Sequence, residues 1–163
     1  MTVVIYPGSF DPVTNGHRDI IDRASRIYKR VIVSVLENPR KAPLFSIEER
    51  VEMLNMIAVQ YENVEVDSFR GLLIDYCKKK NSNIMIKGLR GMGDFEFEFQ
   101  MALINRKLDP GLETMFMMTN NLYSYVSSSI VKEIAFFGGD ITELVPPEVY
   151  KRIMEKIRVA REF

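Results

Sequence analysis

The apolar positions change period again and again along the chain. Thr2–Tyr6 is a short β-rich run that predicts a strand, and a turn-rich stretch of proline, glycine, asparagine and aspartate follows it. Ile20, Ile21, Ala24, Ile27 and Tyr28 then recur at helical spacing. Val31–Leu36 reads as a second strand, and Glu37–Phe45, with Pro39 and Pro43, as a loop. Ser46 and Glu49 form a capping box before the helical stripe Ile47, Val51, Leu54, Ala58 and Tyr61. Val64–Val66 predicts a short strand. Gly71–Lys80 predicts a helix whose lysine-rich end suits the negative pole of the helix dipole. Ile84–Lys87 is a fourth strand, Gly88–Gly93 a glycine-rich loop, and Asp94–Leu108 a helix stopped by Asp109-Pro110-Gly111. Glu113–Met118 is a fifth strand. A polar loop, Thr119–Val126, leads to a serine-capped helix from Ser127 to Phe137, ended by Gly138-Gly139. Pro146 opens a last helix with Val149, Ile153 and Ile157 on one face.

Strand and helix therefore alternate. The strand segments are apolar runs rather than strict alternations, the pattern of strands buried on both faces. That predicts an α/β protein: a doubly wound, Rossmann-like parallel sheet of five strands with helices on both faces and right-handed crossovers. No repeat, linker or low-complexity stretch divides the chain, so a single domain over 1–163 is expected, with the C-terminal helix, about 146–158, packing on it.

The segment Asp94–Leu108 departs from the amphipathic pattern. Phe95, Phe99, Ala102 and Leu103 form one apolar stripe, and Phe97, Met101, Ile104 and Leu108 another. A helix apolar on two sides needs two partners. One is the sheet; the other is a second subunit or the C-terminal helix.

Composition narrows the function classes. Lysine plus arginine is 22 and aspartate plus glutamate is 22, so no basic surplus marks a protein that grips nucleic-acid backbone. No apolar run reaches the roughly 18 residues of a membrane helix, and no secretory leader pattern is present. One cysteine excludes an intrachain disulfide, and with one histidine it cannot build a zinc site. A cytoplasmic protein with no nucleic-acid or membrane partner is the expectation.

In an open parallel sheet, ligands bind beyond the carboxyl ends of the strands. Unusual segments follow the first, second, fourth and fifth strands, so topology gathers them at one edge. The first is Gly8-Ser9-Phe10-Asp11-Pro12-Val13-Thr14-Asn15-Gly16-His17. Thr14 or Asn15 can cap the helix, and His17 then stands among free N–H groups at the positive dipole end, a phosphate-binding geometry. A lone histidine is more often a structural residue; the strand–loop–helix setting is what singles out His17. The second segment offers Lys41 between proline-bearing turns. The third, Lys87-Gly88-Leu89-Arg90-Gly91, places two cations around a glycine, suited to a polyphosphate or, in isolation, to a solvated basic loop. The fourth, Tyr123-Ser124-Tyr125-Val126-Ser127-Ser128-Ser129, has three hydroxyls at a helix start, where ordinary capping needs one. Ser-His-Asp order and a cysteine–base pair are both lacking. Catalysis by positioning and charge stabilisation, as in phosphoryl or nucleotidyl transfer, fits this set.

These residues carry a resemblance. Tyr6–Pro12 with Thr14-Asn15-Gly16-His17 is similar to the T/HxGH signature of the nucleotidyltransferase superfamily. Lys87-Gly88-Leu89-Arg90 followed by Asp94-Phe95-Glu96, and Val126–Glu133, narrow it. Over nearly its whole length the chain resembles the bacterial phosphopantetheine adenylyltransferase family. The resemblance implies adenylyl transfer from ATP to 4′-phosphopantetheine with magnesium, a homohexamer, and feedback inhibition by coenzyme A. Carried over by position, His17 is the transition-state stabiliser, with Lys41 and Arg90 as catalytic cations. Ser9, Lys41, Leu73 and Lys87 would bind phosphopantetheine. Ser9, Phe10, His17, Gly88, Leu89, Arg90, Glu98 and Tyr123, Ser124, Tyr125, Val126, Ser127, Ser128 and Ser129 would contact ATP. No protein metal ligand is implied. The chain departs from the family pattern at Ser9, often threonine, and at Lys87, commonly arginine, which gives up a bidentate fork. Two alternatives stand beside this one. The first is another small nucleotidyltransferase acting on nicotinamide mononucleotide or a cytidylyl acceptor. The second is a nucleotide-binding regulatory module without activity.

Overall fold

The computed structural model describes residues 2–37 and 42–161. It contains β1 (Val3–Gly8), α1 (Asn15–Ile27), β2 (Arg30–Glu37), α2 (Ile47–Ala58), β3 (Val64–Arg70), α3 (Leu73–Lys79), β4 (Ile84–Leu89), α4 (Met92–Leu108), β5 (Glu113–Met118), α5 (Ser128–Phe136) and α6 (Pro147–Arg161). A single 3-10 turn, Asn121–Tyr123, precedes α5. The five strands form one sheet in the order β3-β2-β1-β4-β5, and every pairing is parallel. The order reverses between β1 and β4, so the crevice expected of a doubly wound sheet opens there.

Alternate residues of each strand feed the two faces, as pleating requires. Val4, Tyr6, Val31, Val33, Val35 and Ile86 point into the larger core, shared with α1, α2, α5 and α6. Ile5, Ile32 and Met85 point into a smaller one, closed by Ile74, Tyr76 and Cys77 of α3. Within the small core Tyr76 stacks on Phe69 at 4.3 Å, and its hydroxyl donates to Asp67 at 2.8 Å. Burial pushes the Cys77 thiol up to about 11, with the nearby Asp109 carboxylate adding to it, so this cysteine is inert packing.

Three expectations need correction. The segment Gly88–Gly93 is not a loop: Gly88 and Leu89 finish β4, pairing with Met117 and Met118, and Met92 already opens α4. Gly88 faces α1, where a Cβ would lie 3.4 Å from the Ile20 side chain, an ordinary packing contact. The third strand runs on to Arg70, well past Val66, because its residues pair with β2 as far as Glu37. The last helix also continues to Arg161.

Helix α6 packs on α2 and α5, and α4 packs on β4 and β5. The second apolar side of α4 is therefore not covered by α6. Phe97, Ile104 and Leu108 are more than half exposed, at 63%, 51% and 56%. Among the described residues, no helix is long and apolar enough to cross a membrane.

Candidate active site

The loop after β1 is built from inside. Phe10 adopts a left-handed backbone, φ 48°, unusual for a residue with a Cβ. That turn drives its ring into the core, 1% exposed, edge-on to Tyr6 at 5.4 Å and to His17 at 4.9 Å. Gly8 lies close beneath it: a Cβ there would sit 3.0 Å from the Phe10 ring, so the ring would have to give way. Thr14 caps α1, and the cap is reciprocal: the Thr14 N–H donates to His17 Nδ1 at 2.9 Å, and the His17 N–H donates to Thr14 Oγ1 at 3.4 Å.

That bond fixes the chemistry of the imidazole. Nδ1 accepts, so the neutral ring carries its proton on Nε2. Burial first, and then the Arg90 cation, push the His17 pKa down to about 4. Near neutral pH the ring is therefore uncharged, with an Nε2–H available for donation. It stands in the first turn of α1, where no acidic side chain competes for an anion.

The other segments close on this loop. Arg90, just beyond β4, holds Asp94 in a fork, Nε and Nη2 each at 2.7 Å, and its Nη1 donates to the Val126 carbonyl at 3.3 Å. The Asp94 carboxyl is held below its usual range chiefly by that hydrogen bond. Ser127 caps α5 by accepting from the Ile130 N–H at 3.1 Å. Ser128 Oγ donates to the Pro12 carbonyl at 2.7 Å, so its hydroxyl bridges α5 to the first loop. The Thr119 N–H donates to the Leu89 carbonyl at 2.8 Å. Leu89 and Val126 are buried, and each enters this network through its carbonyl. Ser9, Ser124, Tyr125 and Ser129 are exposed, and Tyr123 is half-buried.

Lys87 and Glu98 lie on the opposite face, the side of α3 and α4, as an ion pair at 3.4 Å. Oε2 of Glu98 is buried without a hydrogen-bonded partner. Leu73 starts α3 beyond the end of β3 and packs on the small core. Ser9, Phe10, His17, Arg90 and the Val126–Ser128 stretch thus form one cluster over the larger core. Lys87, Gly88 and Glu98 adjoin it across the β1–β4 crevice, and Leu73 stands at the outer strand. Lys41 lies outside the described residues. A cavity of about 650 Å³ lies elsewhere, between α5 and α6; a smaller one, about 290 Å³, opens beside Asn15, Tyr123 and Tyr125.

Two buried charges at the cluster carry no signal in the sequence. Arg50, 4% exposed, donates to the Ser9 carbonyl at 2.9 Å, yet in the chain it looks like one more charge on a helix surface. Asp11, 6% exposed, meets Lys132 at 2.8 Å across 121 positions. Both members sit in the quoted motifs, but nothing local announces that they touch.

The chain is matched over residues 5–134 by the cytidylyltransferase-like family model, a class of nucleotidyltransferases, and a parallel sheet with a helix start at its switch point is in keeping with that class. Solved structures agree on the fold. The chain superposes on nicotinic acid mononucleotide adenylyltransferase of Plasmodium falciparum with a TM-score of 0.65 at 15% identity, covering 98% of this chain and 95% of that one. A Vibrio parahaemolyticus structure described as a nicotinate-nucleotide adenylyltransferase gives 0.68 at 15% identity, covering 94% and 99%. Sequence relatives are far nearer. A phosphopantetheine adenylyltransferase of Alkaliphilus metalliredigens is 59% identical over 156 residues, covering 96% of this chain and 99% of the relative. One of Clostridium botulinum strain Hall is 56% identical over 162 residues, with 99% coverage of each. The chain belongs to the phosphopantetheine adenylyltransferase family of nucleotidyltransferases.

Proposed function

We propose that this chain, acting as one nucleotidyltransferase domain over 1–163, transfers the adenylyl group of ATP to 4′-phosphopantetheine. The products are dephospho-coenzyme A and pyrophosphate, in the penultimate step of coenzyme A synthesis. One observation carries this: in a chain 59% identical to a relative of that name, a neutral His17 with Nδ1 engaged and Nε2–H available stands at the switch point.

An oxygen of the phosphopantetheine phosphate attacks the α-phosphorus of ATP in line. The bond from that phosphorus to the bridging oxygen breaks, and pyrophosphate leaves with the electron pair. The nucleophile is a phosphate monoester, largely dianionic near neutral pH, so no general base and no covalent enzyme intermediate are needed. The obstacle is bringing two anions together and orienting them. His17 donates from Nε2 to the α-phosphate oxygens, where charge builds, and its uncharged state removes any need to release a proton. Arg90 supplies positive charge at the same edge. Ser9 and Phe10 line the ATP site, the Ser9 hydroxyl also reaching the acceptor phosphate. Lys41 holds the reacting phosphates. Gly88, Leu89, Glu98 and Tyr123–Ser129 contact ATP. Lys87 meets the acceptor phosphate from the far side of the crevice, and Leu73 the pantetheine arm.

Magnesium fits as an ion carried on the nucleotide phosphates. Among the described residues, no group of three or more histidine, cysteine or acidic side chains forms a cage, whereas magnesium is commonly held by substrate phosphates and water. What it supplies when bound is neutralisation of the departing pyrophosphate. Coenzyme A contains the pantetheine arm of the acceptor, so it competes for that surface as a feedback inhibitor. The exposed apolar side of α4 supports a homohexamer, and the enzyme is cytoplasmic.

Pyrophosphate release from ATP with magnesium and a panel of acceptors tests the assignment. Turnover with 4′-phosphopantetheine and not with nicotinamide mononucleotide is expected. Turnover with another acceptor alone would keep the class and discard the substrate. ATP binding with no turnover on any acceptor would point to a regulatory module.

A further inference from the structure

The family motifs contain two residues that the reaction described above does not use, Asp11 and Lys132. Their geometry gives them a task. The Asp11 carboxylate accepts from the Phe45 N–H through Oδ1 at 2.9 Å. Through Oδ2 it accepts from the Leu44 N–H at 3.1 Å and from Lys132 Nζ at 2.8 Å. These partners belong to the entry of α2 and to α5. The residues on either side are tied in the same directions. The Ser9 carbonyl accepts from Arg50 of α2 at 2.9 Å, and the Pro12 carbonyl accepts from Ser128 of α5 at 2.7 Å. Between Ser9 and Asp11 stands Phe10, in its left-handed turn, with its ring against His17.

The geometry points to Asp11 as a positioning residue for adenylyl transfer: its buried carboxylate clamps the first loop to the entry of α2 and to α5, and so holds Phe10 and His17 where the α-phosphate must sit. This rests on the functional reading given above. Each neighbour of the carboxylate is a donor, and two of them are backbone N–H groups that cannot move away. An amide in its place would turn a donor towards a donor on one side. A loop released by even about 1 Å would lose roughly a hundredfold in rate through misplacement of the reacting groups.

The test uses the full-length protein with ATP, magnesium and 4′-phosphopantetheine, comparing wild type, Asp11→Asn, Lys132→Met and the double variant. Two readouts run side by side: turnover, and NMR of the chain's one histidine, whose ring signals belong to His17 alone. Asp11→Asn is expected to lose about 10- to 100-fold in kcat, with ATP affinity within about threefold. Its His17 titration midpoint should rise from near 4 towards the ordinary 6.5 as the wall opens. The double variant, which removes both charges of the pair, should not regain kcat, whatever its thermal stability relative to either single variant. If kcat recovers with stability, the pair is merely structural and the proposal falls. An Asp11→Asn enzyme with wild-type kcat and an unmoved His17 titration overturns it as well. If Asp11→Asn does not fold, Lys132→Met and the double variant decide by the same readouts. If wild type does not turn over, the functional reading fails, and the His17 titration alone judges the clamp.

Discussion

The two walls of the β1–β4 crevice are built differently. On the α1 side, Phe10 is buried, His17 is capped by Thr14, and hydrogen bonds from Arg50, Lys132 and Ser128 converge on Ser9, Asp11 and Pro12 of one short loop. On the α4 side, Asn105 is the only buried residue of the whole helix among those described, while Met92 and Phe97 are 82% and 63% exposed. The charges there pair with each other, Lys87 with Glu98 at 3.4 Å and Arg90 with Asp94 at 2.7 Å. The first wall is preorganised within a single chain. The second is held by the sheet on one side and leaves apolar side chains exposed on the other. Chemistry that depends on fixed donors belongs to the first wall, and the proposed assembly to the second.

Removing the donor of the first wall should have the largest effect. His17→Ala is expected to cut kcat by at least about 10²–10³-fold, measured as pyrophosphate release, with the fold retained by circular dichroism. On the second wall, Phe97→Asp with Ile104→Glu should reduce the assembled mass in sedimentation or light scattering. Each change removes the roughly 1.5–3 kcal/mol of a buried apolar side chain and adds a charge at the contact. A wild-type monomer at working concentration would break the comparison outright. Arg90→Lys, where the walls meet, keeps the charge but gives up the fork to Asp94 and the bond to Val126; about a tenfold loss in kcat/KM is expected.

The smallest effect is the pH dependence of stability. The His17 pKa is lowered on folding, so between about 6.5 and about 4 the unfolded chain binds a proton that the folded one does not. Stability from this group is fully present above pH 6.5 and falls as the pH drops through that window. The loss is at most about 3 kcal/mol, less any screening by water. Urea midpoints for wild type and His17→Gln should therefore converge as the pH falls from 7 to 4.

Much of this was legible in the chain because it is local. The capping box of Ser46 and Glu49 and the cap at Ser127 each involve residues three apart, and both form as the spacing predicts. The Thr14 cap was one of two readings at that helix start, and burial of its side chain selects it. Glycines misled at the end of β4. Gly88, Gly91 and Gly93 read together as a loop, but Gly88 pairs with Met117 in β4, and Gly93 lies inside α4. The clamp at Asp11 was illegible for a different reason. Its partners lie 33, 34 and 121 positions away, and only the closed sheet brings them together. The left-handed turn at Phe10 likewise follows from the packing of its ring and has no marker in residue type.

The most direct test of the account is the joint formation of dephospho-coenzyme A and pyrophosphate by wild type and His17→Ala, with equilibrium ATP binding measured on the same samples. The account predicts equimolar products from the wild type. In the variant it predicts both products reduced by at least about 10²-fold and ATP binding nearly unchanged. A variant that makes both products at the wild-type rate would contradict it, because the neutral Nε2–H at the switch point would then have no part in the transfer.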